Sequence, residues 1–204
     1  MDSDRSLVGC LLALLLATPS FAALGAQTDE VGYVGSLVCA ECHEAEFTAW
    51  RGSHHDLAMA EASEETVLGD FTDAQFPAHG VTSNFFRRDG GWYVRTDGPA
   101  GELHDYRIAS TFGWYPLQQY LIEFPGGHFQ SLGLAWDSRP QEQGGQRWFH
   151  LYPDEDRMGH GNPLHWTSRD QTWNYQCAEC HSTELRKHYD LETDTYATTW
   201  VEID

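Results

Sequence analysis

Cys39-Ala40-Glu41-Cys42-His43 stands near the start of this 204-residue chain, and Cys177-Ala178-Glu179-Cys180-His181 repeats it 138 residues later. Two cysteines three positions apart lie on one side of a tight helical turn. With the histidine that follows, each run is a C-x-x-C-H motif, the spacing that lets two thiols form thioethers to the two vinyl groups of one haem while the imidazole lies under the iron. Cys39 and Cys42 are therefore read as anchors of one haem c with His43 as proximal ligand, and Cys177 and Cys180 as anchors of a second with His181.

Other uses of these residues are weaker. A zinc ribbon places roughly 15–20 residues between its C-x-x-C pairs, several times fewer than here. A thioredoxin-like redox pair needs a βαβ setting and no following histidine. A disulfide framework would draw on further cysteines, and the only other one is Cys10.

Cys10 falls in a stretch with a different purpose. Leu7 to Ala23 is almost wholly apolar, follows the basic Arg5 and ends in Ser20-Phe21-Ala22, a small-x-small cleavage pattern, so residues 1–22 read as an export signal. As a membrane anchor the run is at the short limit, and Thr18, Pro19 and Ser20 interrupt its end. Leu7-Val8-Gly9-Cys10 resembles a lipobox, but the apolar run follows the cysteine instead of preceding it, so no firm membrane anchor is expected. Export to the periplasm or beyond agrees with the motifs, because haem c is attached outside the cytoplasm.

The hydrophobic fraction of 41% fits a globular chain, and the net charge of −19 is strongly acidic; loss of Asp2, Asp4 and Arg5 with the signal leaves −18. Such a surface argues against nucleic acid and anionic lipid and favours a redox partner with a basic docking face. Acidity that serves only solubility is the plainer alternative.

After an extended lead-in, the chain is expected to be helical from Cys39 through Phe47 and Trp50, with Gly52 ending the helix and Ser53 capping a short one that carries Asp56. From Phe71 to Leu151 the pattern is that of strands. Asn84–Arg88 and Trp92–Arg95 flank Asp89-Gly90-Gly91, and Leu121–Phe124 and Phe129–Leu134 flank Pro125-Gly126-Gly127, two hairpin signals. A helix is expected from Cys177 to about Tyr189, then a strand over Tyr196–Ile203. The fold class is α+β: helical and loop haem-binding segments flanking an antiparallel β-rich insert. The domain bounds are 1–22 for the signal, 23–70 for the first haem c segment, 71–151 for the insert and 152–204 for the second haem c segment.

Each haem iron has a sixth position, and nine of the eleven histidines remain to fill it. His54 and His55 point about 100° apart on a helix. Of the two, His55 is preferred because it shares a face with Met59 at i+4. His165, between Leu164 and Trp166, is the other candidate distal ligand, with a satisfied core histidine as its alternative; His54 and His150 are weaker candidates. The remaining histidines read as solvated or loop residues. Among the aromatic residues, Trp50, Trp173 and Tyr175 sit beside the motifs and are candidates for packing on haem.

Cys39 to His43 followed by Trp50-Arg-Gly-Ser-His-His-Asp-Leu-Ala-Met59 resembles the opening of exported multihaem cytochromes c related to the tetrahaem electron-acceptor cytochrome of hydroxylamine oxidoreductase. Tyr115–Phe124, Ala135–Pro140, Gly144–Pro153 and His165–Thr167 are similar to the long subgroup that carries tetratricopeptide repeats. The resemblance implies electron transfer between closely spaced haems, with His55 and His165 among the ligands. It also implies at least one further C-x-x-C-H beyond Asp204, so that this chain is expected to be the N-terminal part of a longer protein with more than two haems. The function expected is a periplasmic multihaem c-type cytochrome passing single electrons between redox proteins, an electron carrier more than a catalyst. The alternatives are a multihaem oxidoreductase acting on a small nitrogen or sulfur compound at an open haem site and, more weakly, a zinc-stabilised binding module.

Overall fold

Strand patterning dominates the architecture. A computed structural model describes residues 35–155 and 158–201, so the export signal read at residues 1–22 and the end of the expected terminal strand lie outside the described residues. Two short helices, α1 (Ser36–Ala40) and α2 (Glu44–Trp50), lead into strands β1 (Met59–Glu61), β2 (Ala74–Ala78), β3 (Val81–Arg88), β4 (Gly91–Asp97) and β5 (Leu103–Arg107). The chain continues through β6 (Ser110–Phe112), β7 (Leu117–Phe124), β8 (His128–Ser131), β9 (Leu134–Asp137) and β10 (Arg147–His150). Helices α3 (Trp173–Gln176) and α4 (Ala178–His181) follow, then β11 (Thr183–Arg186), β12 (Tyr189–Asp190), β13 (Thr195–Tyr196) and β14 (Thr199–Val201). None of the helices in the described residues is long and apolar enough to cross a membrane.

The first sheet is the antiparallel meander β2-β3-β4-β5. Its central hairpin closes through Asp89-Gly90 at φ 51° and 77°, the double left-handed turn whose twist matches the flanking strands, with Arg88 opposite Gly91. Gly91, expected in the turn, is the first residue of β4. The second sheet runs β1-β6-β7-β9-β10, with β8 also on β7. The single strand expected over Phe129–Leu134 is two: β8 pairs with the second half of β7 and β9 with its start, parted at Leu132-Gly133.

Alternation along β7 decides which face meets which core, because successive side chains point to opposite sides of a sheet. Tyr120 and Ile122 face the first sheet and join Phe71, Phe85, Trp92, Val94, Trp136, Trp148 and Trp166 in an aromatic core. There Trp148 lies flat on Phe85, with ring centroids 3.5 Å apart. Leu121 faces the other way, into a second cluster with Phe112, Trp173 and Ala178. Within the first core, the Tyr120 hydroxyl accepts from Gly69 N at 3.0 Å and donates to Gln118 Oε1 at 3.0 Å. Burial raises that phenol far above its usual range, so it stays protonated and available as the donor.

The helix expected from Cys177 to Tyr189 stops at His181. Ser182 turns extended, at φ −142° and ψ 151°, and β11 pairs with β14. A partner strand returning from the end of the chain outweighs local helix preference, which is only a weak prior. The terminal strand is likewise split, into β13 paired with β12 and β14 paired with β11. The β architecture also reaches into the first haem segment, where β1 adds to the edge of β6.

Candidate haem centres

In the first motif, α1 ends at Ala40 and the Cys39 carbonyl accepts from both Cys42 N at 3.2 Å and His43 N at 2.9 Å. The continuous helix expected from Cys39 to Trp50 is thus two helices hinged at the motif, with His43 at the N-cap of α2. Cys39, Cys42 and His43 are all exposed. Phe47 and Trp50 do share a face, with rings 6.3 Å apart. Beyond them Gly52 leaves the helix at φ 72°; Asp56 N donates to Ser53 Oγ at 3.4 Å and Gly52 N to Asp56 Oδ2 at 2.6 Å, but the element that follows is only the 3-10 turn Asp56–Ala58, with His55 and not Ser53 at its N-cap.

The second motif is seated more deeply. Cys177 N donates to Trp173 O and Cys180 N to Cys177 O, so the motif continues the turn of α3 into α4. Asn174, wholly buried, accepts from Phe129 N at 2.7 Å and donates to Gly127 O at 3.2 Å and Thr198 Oγ1 at 2.7 Å. One amide therefore holds the motif's helix to β8 and to the returning chain. Trp173 stacks edge-on against Phe129 and Trp200. Cys177 is half-buried against this cluster while Cys180 is exposed; the side chain of His181 lies outside what is described.

The residues present fit haem c. All four motif cysteines are free thiols, two in each helical turn. Burial, with the Cys180 thiol beside it, raises the Cys177 thiol above its usual range. Among the described residues no three His, Cys, Asp or Glu side chains gather as a metal cluster, so the two cysteine pairs do not converge on one zinc site. Apolar surface stands beside both motifs: Leu37 is 61% and Val38 52% exposed next to Cys39, and Tyr175 is 43% exposed next to Cys177. Two buried polar atoms without a partner among the described residues, Trp173 Nε1 and Ser182 Oγ, bracket the second motif.

The remaining histidines divide by environment. His54 and His55 are exposed, and His54 stacks on Tyr115 at 5.4 Å. The face expected to join His55 to Met59 is not formed, because residues 56–58 make a 3-10 turn and Met59 already belongs to β1. Met59 instead packs into the second core cluster. His165 is 3% exposed, with Nε2 3.0 Å from Asp97 Oδ2 and Nδ1 2.8 Å from Thr167 Oγ1. That is the satisfied core histidine, and iron ligation would require one of these bonds to break. Burial would raise the Asp97 carboxyl, but the hydrogen bond and charge of His165 outweigh it and hold the group below the usual carboxylate range. Trp173 is likewise a core residue, whereas Trp50 is half-buried and Tyr175 exposed.

His79, read from sequence as solvated, packs edge-on against His150 at 4.4 Å and bonds Tyr152 O at 3.0 Å. Burial, reinforced by His79, lowers His150 to about 4. An unfolded histidine takes up its proton near pH 6.5. On acidification the unfolded chain therefore protonates first, and stability falls between about pH 6.5 and 4. Discounted for partial solvent access, this amounts to about 1–2 kcal/mol. Urea midpoints at pH 7.0 and 4.5 should show a smaller acid loss in His150→Gln than in the parent; equal losses would remove His150 as the cause.

Sequence reasoning missed Asn174 and Trp200, whose importance depends on a distant part of the chain returning. Residues 38–75, which contain the first motif and His55, match the family described as cytochrome c554 and c-prime. No curated protein and no solved structure matches the chain.

Proposed function

We propose that the chain is an exported, periplasmic multihaem c-type cytochrome that passes single electrons between redox proteins. The observation that carries this reading is the same C-x-x-C-H run occurring twice, each time folded as a helical turn with both thiols free. The match of residues 38–75 to a cytochrome c family supports it.

Cys39 and Cys42 would hold one haem c with His43, and Cys177 and Cys180 a second with His181. Haem c supplies a ferric/ferrous couple that takes up and gives back one electron. The chain's own contribution is placement. Asn174 and the second core cluster fix one motif on a rigid sheet, while α1 and α2 present the other with exposed apolar residues beside it. No acid, base or nucleophile is needed. His55, exposed and five residues after Trp50, is the distal ligand that needs no hydrogen bond to be broken first. The resemblance of residues 39–59 to the opening of exported multihaem cytochromes c supports the same reading. Its acidity, net −19, suits partners with a basic face.

The test is expression in a host that matures haem c. Covalent haem at two per chain, low-spin in both oxidation states, is the expected result. Absence of covalent haem would refute the reading. A high-spin iron that binds small ligands would favour the oxidoreductase instead, and His55→Ala is expected to make one haem high-spin.

A further inference from the structure

Beside the second motif lies a cavity of about 520 Å³. It is bounded by β8, by the chain entering α3 and by the β12–β13 hairpin, and it has no part in holding the thiols. Tyr175, Tyr189 and Tyr196 line it, the last two with rings 4.6 Å apart. Leu191, 83% exposed, stands at its edge.

Among the lining residues basic groups outnumber acidic ones, although Lys187 is paired with Glu179 outside the lining. Arg169 and Lys187 face the cavity against one carboxylate, Asp194, in a protein with 12 basic and 31 acidic residues. The Arg169 guanidinium lies over the Tyr175 ring at 4.8 Å and gives one N–H to its hydroxyl at 2.9 Å, one donor of the five in its fork. Lys187 bonds Tyr175 O at 3.3 Å and Glu179 Oε1 at 3.0 Å. Asp194 is already engaged, accepting from the Tyr189 hydroxyl at 2.8 Å, with His128 Nε2 3.8 Å away.

A second observation asks for a ligand. Gln130, 5% exposed, lines the same cavity; its Nε2 donates to Thr172 Oγ1 at 3.1 Å, while its Oε1 is buried without any partner. A buried acceptor left unpaired costs free energy that a donor entering the cavity recovers. The wall opposite is held close: Gly127, at φ 72°, is where any Cβ would run into the Tyr196 carbonyl.

We propose that this cavity is a binding site for a planar aromatic carboxylate that bears a phenolic hydroxyl. The tyrosines stack its rings, Arg169 and Lys187 take its carboxylate, and Gln130 Oε1 accepts its hydroxyl proton. The volume lies within the range of small-molecule sites and suits a two-ring molecule. Tyr175 stands two residues before Cys177, so a bound aromatic is placed next to the second motif.

The test is calorimetric titration of the haem-loaded chain with 6-hydroxy-2-naphthoate, 2-naphthoate and 2-naphthol, with haem content measured on every sample. Saturable binding of the first is expected. Loss of the carboxylate should weaken it about tenfold or more, as should Arg169→Gln with Lys187→Gln, since hydrogen bonds to charged groups are the stronger kind. Leu191→Glu changes an exposed residue and should weaken binding by repulsion while leaving the fold intact. The advantage of 6-hydroxy-2-naphthoate over 2-naphthoate should vanish in Gln130→Leu. No saturable binding up to millimolar ligand, or equal binding by the parent and the charge variants, overturns the proposal. Because haem content is read independently, a chain without haem that still binds the naphthoate separates this site from the cytochrome reading.

Discussion

Replacing Cys177 and Cys180 together by alanine should lower covalent haem from two per chain to one, the largest single change expected of any substitution here. A thioether cannot form without the thiol, and no cysteine outside the motifs lies within the described residues. The same double replacement at Cys39 and Cys42 should also leave one haem, but the consequences for the protein differ. Cys39 and Cys42 are exposed on a segment with no buried residue in either helix, so their loss should leave thermal stability nearly unchanged. Cys177 is half-buried against Trp173 and Trp200, so its truncation should cost about 1 kcal/mol of packing in addition to the haem. Denaturing mass spectrometry counts attached haem, and a parallel thermal melt reads the asymmetry. If either pair can be removed with two haems still attached, the assignment of thiols to haems is wrong.

That asymmetry was only half legible in the sequence. The motifs and their local turns could be read directly, because the cysteine spacing, the glycine at 52 and the Ser53–Asp56 hydrogen bond each act over a few residues. The central hairpin was legible for the same reason: Asp89-Gly90 demands a turn whose twist forces Phe85 opposite Val94. What could not be read was set by distant partners. Residues 183–186 have no local reason to leave a helix, and they do so because β14 returns to pair with them. His165 could be read as a haem ligand or as a satisfied core histidine, and Asp97, sixty-eight positions earlier, takes its Nε2. Trp173 and Asn174 read as an aromatic approach to a cofactor, whereas one is core and the other fastens the helix to β8. Local chemistry thus marked the two C-x-x-C-H turns, and tertiary pairing decided how firmly each turn is held.

Trp148→Ala should destabilise the chain by about 3–5 kcal/mol, the range for an aromatic side chain deleted from a packed core. Trp148 touches both sheets. It lies flat on Phe85 from β3 and meets Phe71, Tyr120 and Trp136 within 5.5 Å of their ring centroids. Its Nε1 donates to Asp70 O at 3.1 Å, so truncation also strips a loop carbonyl of its donor. Collapse of the neighbours into the gap is limited, because the surrounding groups are themselves rings of fixed shape. In a chain of this length such a loss lowers the melting temperature by roughly 10 °C. Haem attachment should respond differently. Each motif is a local turn closed by its own backbone bonds, and the Trp148 core lies on the opposite face of the second sheet from Trp173 and Cys177. Covalent haem should therefore remain at two per chain in the variant while its melting point falls. A melting point within about 2 °C of the parent would show that the aromatic stack does not join the two sheets. Loss of one haem would show that the second motif needs the whole sandwich to present its thiols.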